Sequence, residues 1–265
     1  MYSGIKIAAK YLQYLITASN GKGHGIHSPF VFDFIEKILN DHRHFYVYDK
    51  VEALRQRMLN DKRILEVQDY GAGSSKSVSN KRSVSSIARN AVKSPKYGQF
   101  LFRLANHYQP GRILELGTSL GISTSYLALG NPRANVVTVE GSRQIASVAE
   151  DNFKDLGISS IQQVVGNFDE SLPFLLQSEQ QFDLVFIDGN HRKEPTLNYF
   201  KLLLKNLHNE AILIFDDIHW SREMEEAWKQ ISSNENVRVS IDLFFLGIVV
   251  FRESIREKQH YQIRF

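Results

Sequence analysis

Arg112-Ile-Leu-Glu-Leu-Gly-Thr-Ser-Leu-Gly-Ile-Ser123 is the stretch on which the fold turns. Ile113, Leu114 and Leu116 form an apolar run with the length of a buried strand. Gly117 breaks the run, and Gly121 follows after Thr118, Ser119 and Leu120. Ser123 reads as the cap of a helix through Tyr126, Leu127 and Leu129 that stops at Gly130-Asn131-Pro132. Strand, glycine loop and helix in this order make a ligand-binding unit. Glycines let a ligand approach the backbone, and a helix start offers unpaired N–H groups with a partial positive charge.

Outward from this unit the pattern repeats. Apolar runs at 112–116, 135–139, 160–165, 183–187 and 211–215 alternate with helical stretches. One of these, 195–207, opens with Pro195 and carries Leu197, Phe200, Leu204 and Leu207 on one face. Such alternation predicts an α/β fold with a parallel sheet and right-handed crossovers. After a helix near 221–232, runs at 237–242 and 244–251 follow with almost no connection. That gap cannot hold a parallel crossover, so the two strands pair antiparallel.

The strand ends collect acids and amides. Glu115 lies just inside the first strand of the repeat, and the second ends in Glu140-Gly141-Ser142. An acid there can accept hydrogen bonds from both hydroxyls of a ribose. The third ends in Gly166-Asn167-Phe168, the fourth in Asp188-Gly-Asn-His191, and the fifth in Asp216-Asp217-Ile-His-Trp220. Neighbouring strands would place Asp188 and Asp216 about 5 Å apart. With Asp217 that makes three carboxylates at one point, which repel one another unless a cation or a proton intervenes. An all-oxygen set suits Mg²⁺ or Ca²⁺. The glycine spacing also departs from the dinucleotide fingerprint Gly-x-Gly-x-x-Gly, because Ser119 stands at its middle glycine. A carboxylate at Glu115 repels a pyrophosphate but suits the ammonium and sulfonium groups of S-adenosylmethionine (SAM).

The stretch 112–123 resembles motif I of class I SAM-dependent methyltransferases, in the Glu-Leu-Gly-x-x-x-Gly-x-Ser form of the catechol O-methyltransferase group. The antiparallel end of the strand series is similar to that family's Rossmann-like seven-stranded sheet. The resemblance implies a cofactor cradle of Glu115, Gly117, Thr118, Ser119, Gly121 and Ser123, with Glu140, Gly141 and Ser142 at the ribose and Asn167 and Phe168 at the adenine. It implies Mg²⁺ held by Asp188, Asp216 and Asp217, with Asp188 also reaching the cofactor and serving catalysis. Asp217 stands where catechol enzymes carry Asn, as in related sugar and antibiotic O-methyltransferases. His191 occupies the place of the family's catalytic lysine and is the candidate general base. His219 is a second candidate base, and Trp220 a candidate stacking partner for a substrate ring.

Before this region the chain reads as a helical N-terminal extension, 1–90, ahead of a methyltransferase domain, 91–265. A helix over 4–18 places Ile5, Ala8, Leu12 and Leu15 on one face, to pack on the main domain or on a second copy as a homodimer. Ser28 caps a helix over 29–39, and His24 and His27 in the loop before it read as solvated rather than metal-binding. A third helix, 48–59, carries Val51, Leu54 and Met58 in phase. Arg63-Ile-Leu-Glu-Val67 echoes the motif strand, and Asp69-Tyr-Gly-Ala-Gly-Ser74 looks like a second glycine loop. No acid-ended strand follows it, so 69–86 reads as a lid whose Lys76, Lys81 and Arg82 are solvated or meet an anionic substrate. A helix starting at Ser94-Pro95 leads into the motif strand.

With 265 residues, 43% hydrophobic and 23% charged, the chain can bury a sizeable core. The absence of cysteine excludes disulfides, thiolate metal sites and cysteine nucleophiles. No apolar run has membrane length and no signal peptide is evident, so the expected location is cytoplasmic, without a membrane partner. The expected function is Mg²⁺-assisted, SAM-dependent O-methylation of a small-molecule hydroxyl. Methylation of an RNA (tRNA) base, which the net charge of +3 permits, is one alternative, and a non-catalytic SAM-binding or oligomerisation module is the other.

Overall fold

A computed structural model describes residues 1–19, 21–67, 81–90, 92, 94–177 and 180–265. The chain divides into two compact units, one of residues 41–171 and one of residues 1–40 with 172–265. The discontinuous unit opens with α1 (Gly4–Thr17) and α2 (Pro29–Phe34), which continues into a π-turn over Ile35–Leu39.

The 41–171 unit contains α3 (Tyr46–Asn60), β1 (Ile64–Glu66), β2 (Lys81–Ser83), α4 (Val84–Asn90), α5 (Pro95–Tyr108), β3 (Arg112–Leu116), α6 (Ile122–Gly130), β4 (Asn135–Glu140), α7 (Arg143–Asp155), β5 (Ile161–Val165) and the start of α8 (Phe168–Leu175). β3, β4 and β5 are parallel neighbours in that order, as the βα alternation requires. The apolar residues of β3 and β4 are buried on both faces, so these two read as continuous runs. β1 and β2 form a separate antiparallel pair.

The expected boundary near residue 90 is not where the chain divides. Val51, Leu54 and Met58 of α3 and Val84 and Ile87 of α4 share one core with Phe102, Leu120, Tyr126, Ile145 and Val148. These helices bury their apolar faces against the motif unit as well as against each other. α5 and α6 approach closely because Gly98 leaves room for the Tyr126 ring, where a Cβ would lie only 2.4 Å from its Cε2. The second glycine loop, 69–74, and Lys76 lie outside the described residues, whereas Lys81 and Arg82 stand in strand β2.

The other unit continues with β6 (Phe182–Ile187), α9 (Lys193–Leu203), β7 (Leu207–Asp216), α10 (Arg222–Ser232), β8 (Val239–Asp242), β9 (Leu246–Val250) and β10 (Gln259–Gln262). Its strand order is β10-β8-β9-β7-β6. β9 runs antiparallel to both neighbours, and β6 and β7 are parallel. The expected strands are all present in the two units, together with β10, which pairs parallel with β8. Leu207 opens β7 instead of closing the preceding helix. Ile187 is level with Phe215, so the next residues, Asp188 and Asp216, leave their strands at the same edge.

α1 packs on this unit through a different face from the one its aliphatic spacing predicts. Tyr14 and Ala18 are buried, with Ile7, Tyr11 and Leu15 beside them, against Phe244 and Phe245. Ile5 and Leu12 are 86% and 62% exposed. Two tyrosines offer more contact area and ring geometry than two aliphatic residues, and the Tyr11 and Phe244 rings meet edge-on at 5.0 Å. No helix among the described residues is long and apolar enough to cross a membrane.

Candidate active site

The residues expected to cradle a cofactor come together in the 41–171 unit around two carboxylates. Glu140 ends β4 half-buried. Its Oε2 accepts the backbone N–H of Ser119 at 2.9 Å, and its Oε1 accepts that of Ser142 at 2.9 Å. One acid therefore ties the loop after β3 to the loop after β4. The loop after β3 bends through left-handed backbone at Ser119, φ 47°, and at Gly121, φ 80°. Gly121, not Ser123, is the N-cap of α6, and no side chain caps that helix start. A Cβ at Gly121 would lie 2.5 Å from Cε1 of Phe153, so this glycine is required by packing as well as by conformation.

Glu115 is fully enclosed. Its Oε2 accepts hydrogen bonds from the Thr138 hydroxyl at 2.7 Å and from the Thr124 hydroxyl. Burial pushes its pKa up to about 7, against the pull of hydrogen bonds from Thr124, Ser123 and Thr138 and with a further push from the Glu140 charge. Thr118 turns inward and its hydroxyl meets that of Thr138 at 2.6 Å. Asn167 caps α8, with Oδ1 accepting the Asp169 N–H at 3.1 Å, which leaves its NH₂ group as the donor for a ligand. Phe168 is half-buried, and Gly141 separates Glu140 from Ser142, whose N–H the carboxylate accepts.

Three polar atoms in this cradle are buried without a hydrogen-bond partner: Glu115 Oε1, Ser119 Oγ and Ser142 Oγ. Leaving such a group unpaired costs about 1–3 kcal/mol, so three on β3 and the loops after β3 and β4 suit a polar ligand that would pair them.

In the other unit, Asp188, His191 and Asp216 each offer a ligand atom, and these atoms lie within 4.8 Å of one another. Asp216 is 2% exposed. His191 Nε2 stands 3.8 Å from Asp188 Oδ1. The turn that brings His191 back passes through left-handed Asn190, φ 52°. Asn190 is buried; its Nδ2 donates to the Tyr199 hydroxyl at 2.9 Å and its Oδ1 accepts from Arg192 Nε at 2.8 Å. Asp217, expected as the third carboxylate, is not in the group. Its backbone is left-handed, φ 55°, and its N–H is held by the carbonyl of Phe245 at 2.7 Å.

His219 is not placed as a second base. Its Nδ1 lies 3.1 Å from Glu225 Oε1 and its Nε2 lies 2.8 Å from Asp242 Oδ2. Burial disfavours the charged ring, yet hydrogen bonds and charge from Asp242 and Glu225 outweigh it and raise its pKa. Glu225 also receives Lys10 at 2.8 Å and the Tyr2 hydroxyl at 2.8 Å, so this cluster fastens α1. Trp220 is half-buried, and its carbonyl accepts the N–H of Tyr2 at 3.0 Å.

The same region matches known proteins. Residues 114–218 match the family model described as "Methyltransferase domain". Over 134 residues the chain is 37% identical to the catechol O-methyltransferase of Mycobacterium tuberculosis, covering 50% of this chain and 59% of that protein.

The similarity to a methyltransferase domain is carried by residues 114–218.

The chain spans little more than half the length of the curated relatives it matches. Among solved structures, a cofactor-bound protein from MTB aligns with the chain at a TM-score of 0.58 and 22% identity, covering 84% of this chain and 97% of that one. An O-methyltransferase from Bacillus cereus in complex with SAH gives 0.56 at 20% identity, covering 83% and 97%. These likenesses are of fold. Within residues 114–218, Asn190, Tyr199 and Thr138 are structural partners that the sequence pattern does not single out. The only sequence signal for Asn190 is an Asn next to a Gly at a strand end, a pair that favours left-handed turns.

Proposed function

We propose that the chain is a SAM-dependent O-methyltransferase that uses a divalent cation to hold the hydroxyl of a small-molecule acceptor. The observation that carries this reading is the set of unpartnered buried atoms, Glu115 Oε1, Ser119 Oγ and Ser142 Oγ, around Glu140 in a methyltransferase domain. The donor set fits the cofactor. Glu140 would accept the ribose hydroxyls, Asn167 would donate to the base, and the Glu115 carboxylate would oppose the positive charge of the methionine portion. SAM, when bound, supplies an electrophilic methyl carbon on a sulfonium.

Asp188 and Asp216 would hold the cation, Mg²⁺ by family resemblance, whose charge favours the ionised form of a coordinated hydroxyl. The residues' contribution to rate is then alignment: holding both reactants in place can supply up to about 7–11 kcal/mol. The catechol O-methyltransferase relative favours a hydroxyl acceptor. The RNA alternative would draw on outward-facing cations. Lys10 is instead paired with Glu225 at 2.8 Å, Lys6 lies over the Tyr2 ring at 4.1 Å, and Lys81 lies 3.8 Å from Glu66.

Calorimetric titration with S-adenosylhomocysteine (SAH), followed by a labelled-methyl transfer screen over catechols and other small hydroxyl compounds with cation or chelator, tests the reading. Saturable SAH binding and chelator-sensitive transfer are expected. A chain that binds neither SAM nor SAH would sink it, while binding without turnover on any acceptor would favour the non-catalytic module.

A further inference from the structure

We infer that His191 is a metal ligand, not a general base, and that the site prefers a first-row transition cation or Zn²⁺ over Mg²⁺. This deepens the proposed function, on which it rests for the presence of a cation. The geometry supplies the argument. Ligand atoms of Asp188, His191 and Asp216 lie within 4.8 Å of one another, whereas Asp217 does not complete the set. Two ligands at about 2.0–2.1 Å from one ion stand about 3–3.5 Å apart, so modest side-chain rotation brings the three onto a common centre.

The imidazole is held for that purpose. His191 follows Asn190, whose side chain is anchored on the fully buried Tyr199 and on Arg192. α9 begins at Lys193, so the turn has rigid structure on both sides. His191 Nε2 stands 3.8 Å from Asp188 Oδ1, which puts the ring edge beside the carboxylate.

Chemistry then selects the metal. Mg²⁺ takes oxygen ligands and seldom accepts an imidazole. Imidazole nitrogen suits Zn²⁺, Fe²⁺, Co²⁺ and Ni²⁺. Two carboxylates and one neutral imidazole balance a dication and leave coordination positions for both oxygens of a vicinal diol or for a hydroxyl and water. An acceptor of that bidentate class would gain most from this site.

The test is calorimetric titration of the untagged full chain with Ni²⁺ and, separately, Mg²⁺, in the wild type and in His191→Ala, with SAH titrated into each sample as a check of folding. All divalent sites bind Ni²⁺ more tightly than Mg²⁺ to some degree, so the deciding quantity is the change in the Ni²⁺/Mg²⁺ affinity ratio. It is expected to fall at least ten-fold in His191→Ala, through weaker Ni²⁺ binding with Mg²⁺ binding little changed and SAH binding kept. An unchanged ratio would overturn the assignment. If the wild type binds neither cation, the cation role falls as well. If SAH binding is absent from the wild type, the cofactor reading falls independently of the cation result.

Discussion

The buried carboxyl of Glu115 makes a prediction whose size follows from the structure. An ordinary Glu titrates near 4.5, and burial holds this one up to about 7. Between those two values the native chain keeps a proton that the unfolded chain has released. Stability is therefore fully present below pH 4.5 and falls as pH rises, until Glu115 is ionised in the native state as well. Each pH unit across that window removes about 1.4 kcal/mol, so the whole interval costs about 3 kcal/mol. Glu115→Gln keeps the shape and the hydrogen-bonding capacity, because the Thr124 and Thr138 hydroxyls can rotate to accept as well as donate. It removes the titration.

Thermal denaturation of both proteins without cofactor, from pH 5 to 8, is the assay. The variant is expected to match the wild type near pH 5 and to exceed it near pH 8. At about 2–4 °C per kcal/mol for a chain of this size, the gap grows to about 6–12 °C. It should level off above pH 7. Two curves that stay parallel across the range would show that Glu115 does not titrate there, and that it meets water or a partner which the geometry lacks.

Other substitutions test the rest of the site. Gly121→Ala forces a Cβ into left-handed backbone and to 2.5 Å from the Phe153 ring. It should lower stability by about 2–4 kcal/mol in chemical denaturation and weaken SAH binding with it. Unaltered stability would mean that α7 yields freely. Glu140→Gln loses the charge that receives two backbone N–H groups. SAH affinity should drop about ten- to a hundred-fold, in line with about 1.5–3 kcal/mol for hydrogen bonds to a charged group, and an unmoved Kd would remove Glu140 from the cofactor site. Asp216→Asn relieves repulsion between neighbouring carboxylates, so without metal its Tm should equal or exceed that of the wild type. At a cation concentration of 100 times Kd the wild type alone should gain about 2.7 kcal/mol; equal gains in both would place the ion elsewhere.

What the sequence disclosed and what it hid divide along a physical line. β3, β4, β6 and β7 are buried on both faces, and each ends in or beside an acid, so local pattern alone marks them. β10 is Gln-His-Tyr-Gln on a sheet edge, where one-sided pairing demands no apolar run, and nothing local announces it. The turning face of α1 and the partners of α3 and α4 depend on which surfaces the rest of the chain offers, and periodicity carries no record of that.

The same limit governs the metal set. Asp188 and Asp216 are legible because the register of two adjacent strands puts them level. Whether Asp217 or His191 joins them depends on two left-handed turns. One is fixed by the carbonyl of Phe245, from the connection between β8 and β9, and the other by Tyr199, from the following helix. Phe245 is 28 residues from the turn it fixes, and Tyr199 lies on the helix after its turn, so neither is part of the strand-end pattern. A spacing rule borrowed from a family can place the strand ends but not the direction of the side chains beyond them. In this chain that direction puts His191, and not Asp217, in the group with Asp188 and Asp216.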